Sequence, residues 1–155
     1  MNTPKRAALI IDETDRQIIE QLQVDGRMPY TRLAQLVRLS EAAVRQRVQR
    51  LVDGGVMQVV AVTDPLSLGR RRVAMIGLHV EGDVQPVSEA VGAMIDVEYV
   101  VITAGSFDLL VEVVAEDDEA LLGVTSRIRA VPGVRSSESF IYLRLTKQTF
   151  TWGAR

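Results

Sequence analysis

Apolar residues recur at helical spacing at the start of the chain. Asp12 is a good helix N-cap, and Asp15 places a second acid in the first turn. Ile18 and Leu22 follow on one face, and Asp25-Gly26 is a common signal for the end of a helix. The pattern therefore predicts a first short amphipathic helix that begins at Asp12.

Two further short helices are predicted before residue 55. Thr31 can cap the second, Arg38-Leu39-Ser40 forms a tight turn, and Ser40 caps the third, which ends at Gly54-Gly55. The core face of the third helix is formed by Val44, Val48 and Leu51. Two helices joined by so tight a turn form the helix-turn-helix arrangement.

The opposite face of the third helix is polar and basic. At about 100° per residue it carries Ala42, Ala43, Arg45, Gln46, Gln49 and Arg50, with Arg47 at the flank. No acidic residue lies on it between Glu41 and Asp53. Arg and Gln can pair with guanine and adenine edges in the major groove. This favours DNA contact over an ordinary solvated helix face, which usually mixes both charge signs.

The rest of the chain alternates strands and helices. We predict strands at Val56–Val62, 72–80, Val97–Thr103, Phe107–Ala115 and Val134–Leu145, and helices that begin near Pro86 and at Asp117-Asp118-Glu119. From residue 72 the order is β-α-β-β-α-β, which predicts a ferredoxin-like antiparallel sheet with two helices on one face. The other, apolar sheet face should be covered by a second copy of the chain, so we expect at least a dimer.

These elements give an α+β protein with four parts. They are a helix-turn-helix domain at 1–62, a hinge at 63–71, a ferredoxin-like regulatory and oligomerisation domain at 72–147, and a tail at 148–155 that holds Phe150 and Trp152. Residues 1–60 hold nine basic and seven acidic side chains, and the remainder holds nine and thirteen. The hinge arginines Arg70-Arg71-Arg72 could therefore contact DNA phosphates or cap the acidic second half.

Composition excludes several classes of function. The chain has 155 residues, of which 47% are hydrophobic and 25% charged, as in soluble globular proteins, and its longest apolar run is far too short to span a bilayer. It has no cysteine, and His79 is its single histidine, which argues against thiolate chemistry, a Ser-His-Asp site or a multi-histidine metal site. We expect no enzymatic activity, no metal or other cofactor, no membrane partner and a cytoplasmic location.

Short motifs occur in order along nearly the whole chain. In the first half they are Asp12-x-x-Asp15-x-x-Ile18, Asp25-Gly26-Arg27, Leu33-Ala34, Leu39-Ser40, Val44-x-x-Arg47-Val48-x-x-Leu51 and Gly55-Val56. In the second half they are Asp64-Pro65, Leu68-Gly69, Gly105-x-x-Asp108, Pro132-Gly133-Val134 and Leu145-x-Lys147. The ordered set resembles the leucine-responsive regulatory protein family, also called the Lrp/AsnC or feast/famine regulators.

The resemblance implies a DNA-binding domain joined to a regulatory domain that senses an amino acid. It also implies dimers that join into octamers, with the effector bound between neighbouring regulatory domains. The family's effector positions fall on Ala104, Gly105, Ser106, Phe107, Asp108, Ser137 and Ser139. A glycine turn lets backbone N–H groups approach a carboxylate, and a nearby aspartate can accept a hydrogen bond from an ammonium group. Many members carry threonine where this chain has Ala104 and the two serines.

Our working hypothesis is a DNA-binding transcriptional regulator that responds to a small molecule. Base edges would be read by Arg45, Gln46 and Gln49, beside Ser40, Ala42 and Ala43, and phosphates would be bound by Arg38, Arg47 and Arg50. The alternative is an architectural DNA-coating protein of the same fold without an effector. In that alternative Gly105 and Asp108 are structural.

Overall fold

The computed structural model describes residues 9–63 and 68–149. The predictions for Asp64-Pro65, Phe150 and Trp152 lie outside the described residues. The described chain separates into two compact units, one of residues 9–62 with 147–149 and the other of residue 63 with 68–146.

Three helices form the first unit: α1 (Glu13–Val24), α2 (Tyr30–Val37) and α3 (Glu41–Asp53). Asp12 and Ser40 cap α1 and α3 as predicted. The apolar stripes of the helices meet in one core, formed by Ile18, Leu22, Met28, Leu33, Ala34, Val37, Val44, Val48 and Leu51. The helical pattern of the sequence is thus the pattern of burial.

Two predictions for the first unit are wrong. Thr31 does not cap α2, because the N-cap is Pro29, two residues earlier, and the Pro29 carbonyl accepts the first helical bonds. Val56–Val62 is not a strand. Val59, Val60 and Val62 are each more than half exposed, and a β-branched run becomes a strand only when another strand satisfies its backbone.

The second unit is a four-stranded antiparallel sheet with two helices. Its elements are β1 (Arg72–Val80), α4 (Val84–Gly92), β2 (Val97–Ile102), β3 (Leu109–Ala115), α5 (Asp118–Arg129) and β4 (Val134–Ile141). The strand order is β2-β3-β1-β4, and Asp83 and Asp117 cap the two helices. The predicted ferredoxin-like arrangement is confirmed.

Both helices cover the same face of the sheet. The core beneath them holds Ala74, Ile76, Leu78, Leu109, Val111 and Val113 from the two central strands, and Val87, Val91, Leu121, Val124 and Ile128 from the helices. The intervening residues of β1 point to the other face, because side chains alternate along a strand. This open face carries Met75, Gly77 and His79, with Phe140 of β4 opposite Met75.

Three strands are shorter than predicted, and β2 differs least because it ends at Ile102, one residue before the predicted Thr103. The last strand ends at Ile141, four residues before the predicted Leu145, and one further backbone bond to β1 follows it, from the Tyr142 N–H to the Val73 carbonyl at 2.9 Å. Leu143 is 96% exposed beyond that point. The third strand begins at Leu109 and leaves Phe107 in the preceding loop.

Candidate nucleic-acid interface and effector loop

The tight turn between α2 and α3 fixes where the candidate DNA-reading helix begins. Arg38 ends α2 in the left-handed conformation, with φ 55°, and is exposed. Ser40 then accepts a hydrogen bond from the backbone N–H of Ala43 at 3.2 Å. Both features join the helices over three residues, which holds α3 against α2 in the helix-turn-helix arrangement.

The outer face of α3 lines an open groove. Its wall is formed by Leu9, Ala42, Arg45, Gln46, Gln49, Arg50, Asp53 and Gly54. Arg45, Gln46 and Gln49 are exposed, whereas Ala43 is half-buried. The structure therefore brings the predicted base-reading side chains together on one accessible surface.

Two of these side chains are held by acidic residues one helical turn away. Arg45 lies 2.9 Å from a Glu41 carboxylate oxygen, and its guanidinium stands 5.0 Å from the centre of the Tyr30 ring. The Gln49 amide donates to Asp53 at 2.8 Å. Exposed pairs of this kind contribute only about 0–1 kcal/mol, so a nucleic-acid partner can replace them at low cost.

Arg47 and Arg50 are held differently, because both point toward α1. Arg47 Nη1 lies 2.7 Å from Asp12 Oδ2 and 2.8 Å from Asp15 Oδ1, and Arg50 Nη2 donates to Asp15 Oδ2. The side chain of Asp15 is fully buried. The bond from Arg47 lowers the pKa of Asp12, and the bonds to Asp12 and Asp15 raise the pKa of Arg47.

Sequence reasoning missed the role of Asp15. It assigned this residue only a favourable charge in the first turn of α1, yet Asp15 is the buried acceptor of two arginines. A usable signal was present in the spacing: acids at Asp12 and Asp15 match arginines at Arg47 and Arg50, three residues apart on each helix.

One hinge arginine caps the acidic second unit. Arg72 Nη2 donates to Asp118 Oδ2 at 3.0 Å, and this pair lowers the pKa of Asp118 and raises that of Arg72. Arg71 donates its backbone N–H to the Glu116 carbonyl at 3.2 Å. For Arg72 the geometry favours the cap over a phosphate contact.

The candidate effector loop joins β2 to β3. Ala104, Gly105 and Ser106 are exposed, and the Phe107 ring lies on the open sheet face directly over Gly77. A Cβ on Gly77 would come within 2.6 Å of that ring. The Phe107 ring centre lies 5.0 Å from that of His79 and 6.0 Å from that of Phe140.

Asp108 fastens this loop to β1. Its Oδ2 accepts the backbone N–H of Val80 at 2.8 Å, and its own N–H donates to the Leu78 carbonyl at 2.9 Å. The Asp108 carbonyl also accepts the Thr103 N–H at 2.9 Å. One carboxylate oxygen of Asp108 is thus engaged within the chain.

Within one chain, the two serines do not meet the loop. Ser137 pairs with Leu78 and Ser139 with Ile76 in the β1–β4 register. Directly paired residues point to the same side of an antiparallel sheet, so both serines share the face of the buried Leu78 and Ile76. Phe107 lies on the opposite face.

The described residues hold neither a metal-ligand cluster nor a membrane-spanning helix. Across 9–63 and 68–149, no group of three His, Asp or Glu side chains is placed to hold a metal ion. No helix in the same ranges is long and apolar enough to cross a membrane.

Two family profiles match the chain, one for each unit. The profile of the AsnC-type helix-turn-helix domain matches residues 11–52, and the profile of a C-terminal dimeric alpha+beta barrel domain matches residues 70–155. The transcriptional regulator LysM of Sulfurisphaera tokodaii is 31% identical over 135 residues, which cover 87% of this chain and 96% of LysM.

Solved structures share the fold over almost the whole chain. The leucine response regulatory protein LrpA of Mycobacterium tuberculosis has a TM-score of 0.81 and 29% identity, with 89% of this chain and 96% of LrpA covered. The regulator NMB0573 of Neisseria meningitidis, solved as a complex with L-Met, has a TM-score of 0.80 and 25% identity, with 93% and 97% covered.

The helix-turn-helix unit and the C-terminal unit together define a DNA-binding transcriptional regulator, and the match to a dimeric domain supports homo-oligomerisation. The chain belongs to the AsnC/Lrp family. The matched families and relatives are transcriptional regulators rather than enzymes, so the expectation of a non-enzymatic protein is confirmed.

Proposed function

We propose that this protein regulates transcription by placing α3 in the major groove of specific DNA sequences. The observation that carries the proposal is the shared exposed surface of Arg45, Gln46 and Gln49. Each good bidentate contact from such side chains discriminates bases by about 1–3 kcal/mol. The small Ala42 and Ala43 beside the Ser40 cap let the start of α3 approach the bases closely. The exposed Arg38 is the proposed phosphate contact.

The second unit supplies the symmetry of this DNA binding. A second copy covers the open sheet face around Met75 and Phe140, which gives an isologous dimer. A symmetric dimer favours pseudo-palindromic sites with half-sites about one helical turn apart. The proposed larger assembly is an octamer of four such dimers, acting in the cytoplasm where the DNA is.

The DNA-reading assignment is tested by removing two side chains from the groove. Arg45→Ala with Gln49→Ala should weaken binding to a duplex selected by the wild-type protein by at least about tenfold at fixed salt, because base contacts are lost. Arg129→Ala with Gln85→Ala is the matched control: Gln85 also donates to an acid one turn away, Glu89, but lies in the second unit. Unchanged affinity of the first double variant would refute the assignment.

We further propose that an amino acid binds at the loop that carries Gly105. A Cβ on Gly105 would meet no atom of the chain within 4 Å, and Gly105 is not among the glycines with positive φ. The chain itself therefore does not require glycine here, whereas close approach of a ligand carboxylate to the backbone does. Ser137 and Ser139 enter such a site only from a neighbouring subunit.

Thermal shift with each of the twenty amino acids tests this site. A ligand present at about 100 times its Kd should stabilise the protein by about 2.7 kcal/mol. Gly105→Ala should weaken the responding ligand at least about tenfold, since a charge-assisted hydrogen bond is lost. Gly123→Ala is the matched control, because its Cβ also enters open space. An equal response in both variants would place the ligand elsewhere.

The architectural alternative keeps the same DNA contacts but has no effector. It is supported by Asp108, whose bonds to Val80 and Leu78 already give it a structural role. A silent response to all twenty amino acids, together with an unchanged oligomer size, would favour this alternative over the sensor.

A further inference from the structure

Four charged side chains link α1 to α3 beneath the DNA-reading face. Both carboxylate oxygens of the buried Asp15 are used: Oδ1 accepts from Arg47, and Oδ2 accepts from Arg50 and, at 3.2 Å, from the backbone N–H of Asp12. Asp12 Oδ1 in turn accepts the N–H of Asp15 at 2.8 Å. We call these residues, Asp12, Asp15, Arg47 and Arg50, the α1–α3 ion cluster.

The cluster has no net formal charge, since it holds two aspartates and two arginines. Breaking the ion pairs of Asp15 costs substantial free energy, because removing one partner of a buried ion pair leaves an uncompensated charge out of water. The side chain of Asp15 is 0% exposed and that of Arg47 is 29% exposed. The guanidinium of Arg47 therefore pairs with carboxylates of its own unit and not with an external phosphate.

Arg47 and Arg50 both reach the buried carboxylate of Asp15 in α1, and Arg50 does so from the edge of the groove that Gln46 and Gln49 line. Two anchors one turn apart restrain both the position of α3 and its rotation about its own axis. A rotation of α3 would turn the base-reading side chains away from the base edges. A binding site depends on supporting contacts that hold its ligand-contacting side chains in position.

We propose that Asp15 and its two arginine partners are positioning residues, which orient α3 for base reading without contacting DNA. This inference rests on the proposed function, because it concerns how the same helix reads bases. It replaces the phosphate contacts that the sequence alone assigned to Arg47 and Arg50.

The salt dependence of DNA binding separates positioning from phosphate contact. Each phosphate contact adds about 0.9 to the slope of log K against log salt concentration, so loss of one per protomer lowers a dimer's slope by about 1.8. Arg47→Gln should weaken binding to the selected duplex at least about tenfold, with the slope unchanged. Arg129→Gln, which removes the same charge from the exposed surface of α5, should change neither affinity nor slope.

A double-mutant cycle tests whether Arg47 acts through Asp15. Asp15→Asn should weaken binding although this side chain is buried, and Asp15→Asn with Arg47→Gln should bind within about threefold of the weaker single variant. Circular dichroism checks that each variant folds. If Asp15→Asn does not fold, Asp12→Asn takes its place in the cycle, because asparagine keeps the N-cap and Asp12 is half-exposed.

A slope lower by about 1.8 for Arg47→Gln, full affinity for that variant, or losses that multiply in the double variant would overturn the positioning role while leaving the proposed function intact. If the wild-type protein prefers no selected duplex over a scrambled one of equal length, the proposed function fails and the inference falls with it.

Discussion

The two units bury their cores in different ways. In the first, all three helices turn their apolar stripes inward, and the exposed face of α3 is left polar. In the second, both helices cover one face of the sheet, and the other face keeps half-exposed apolar residues such as Met75 and Phe140. The helical core of the first unit closes within one chain, whereas the sheet face of the second unit is where we propose that a second copy of the chain packs.

Charges are also used differently in the two units. The first unit places a carboxylate, Asp15, inside its core with two arginines, so charge there fixes the geometry between helices. In the second unit the pair of Arg72 and Asp118 lies at the surface, where ion pairs contribute little.

The largest effect is expected from a charge on the open sheet face. Phe140→Asp should weaken the dimer by at least about 100-fold, because burying an unpaired carboxylate between apolar faces costs several kcal/mol. Sedimentation or light scattering measures the change. Leu122→Asp is the control, since Leu122 is an apolar residue of α5, 61% exposed and outside that face. A Phe140→Asp protein that stays dimeric would show that the second copy binds elsewhere.

Cavities in the two cores should have separable consequences. Leu51→Ala should lower the free energy of unfolding by about 2–5 kcal/mol and reduce DNA binding while the oligomer persists. Leu109→Ala, equally buried, should instead reduce assembly. Urea unfolding, anisotropy and sizing measure these properties, and Leu122→Ala should leave stability within about 0.5 kcal/mol. Parallel loss of DNA binding and assembly in both variants would argue against two independent units.

An added methyl group at Gly77 should disturb the contact between β1 and the Phe107 ring of the loop. Gly77→Ala places a Cβ 2.6 Å from the Phe107 ring and should destabilise the second unit by about 1–3 kcal/mol, because the ring must move away from β1. Gly77→Ala with Phe107→Leu should recover part of this loss. Unfolding curves of the three variants measure it, and the absence of any recovery would place the strain at another contact.

The smallest effect concerns pH. Because the pKa of Asp12 is lowered by Arg47, its contribution to stability is present above the unfolded value near 4 and is lost as pH falls through the lower folded value. The melting temperature of Asp12→Asn should therefore fall less than that of the wild type when the pH is lowered from about 5 to 2. Asp118→Asn should do the same for the second unit. Parallel wild-type and variant curves would contradict this coupling.

Local signals were enough to predict most elements of the fold. Helix periodicity and the caps Asp12 and Ser40 located the first and third helices, and the alternation of elements gave the ferredoxin-like order. The prediction of a strand at Val56–Val62 was wrong because a strand depends on a partner, which local sequence does not specify. The prediction for the end of β4 placed it four residues too late.

The candidate sites were predictable only in part. The exposed side of α3 followed from counting residues around a helix, but the direction of Arg47 and Arg50 did not, since their partners lie on another helix more than thirty residues earlier. The loop was found from its motif, yet the register of β4 turns Ser137 and Ser139 away from it.

The sequence by itself determined which residues form helices and strands, which sides are apolar, and which family the chain resembles, because these properties depend on neighbours along the chain. Tertiary structure alone decided that Asp15 is the buried partner of two arginines, that Phe107 rests on Gly77 and that Asp108 holds the loop to β1. Those contacts join residues distant in sequence, so they are fixed only when the elements pack together.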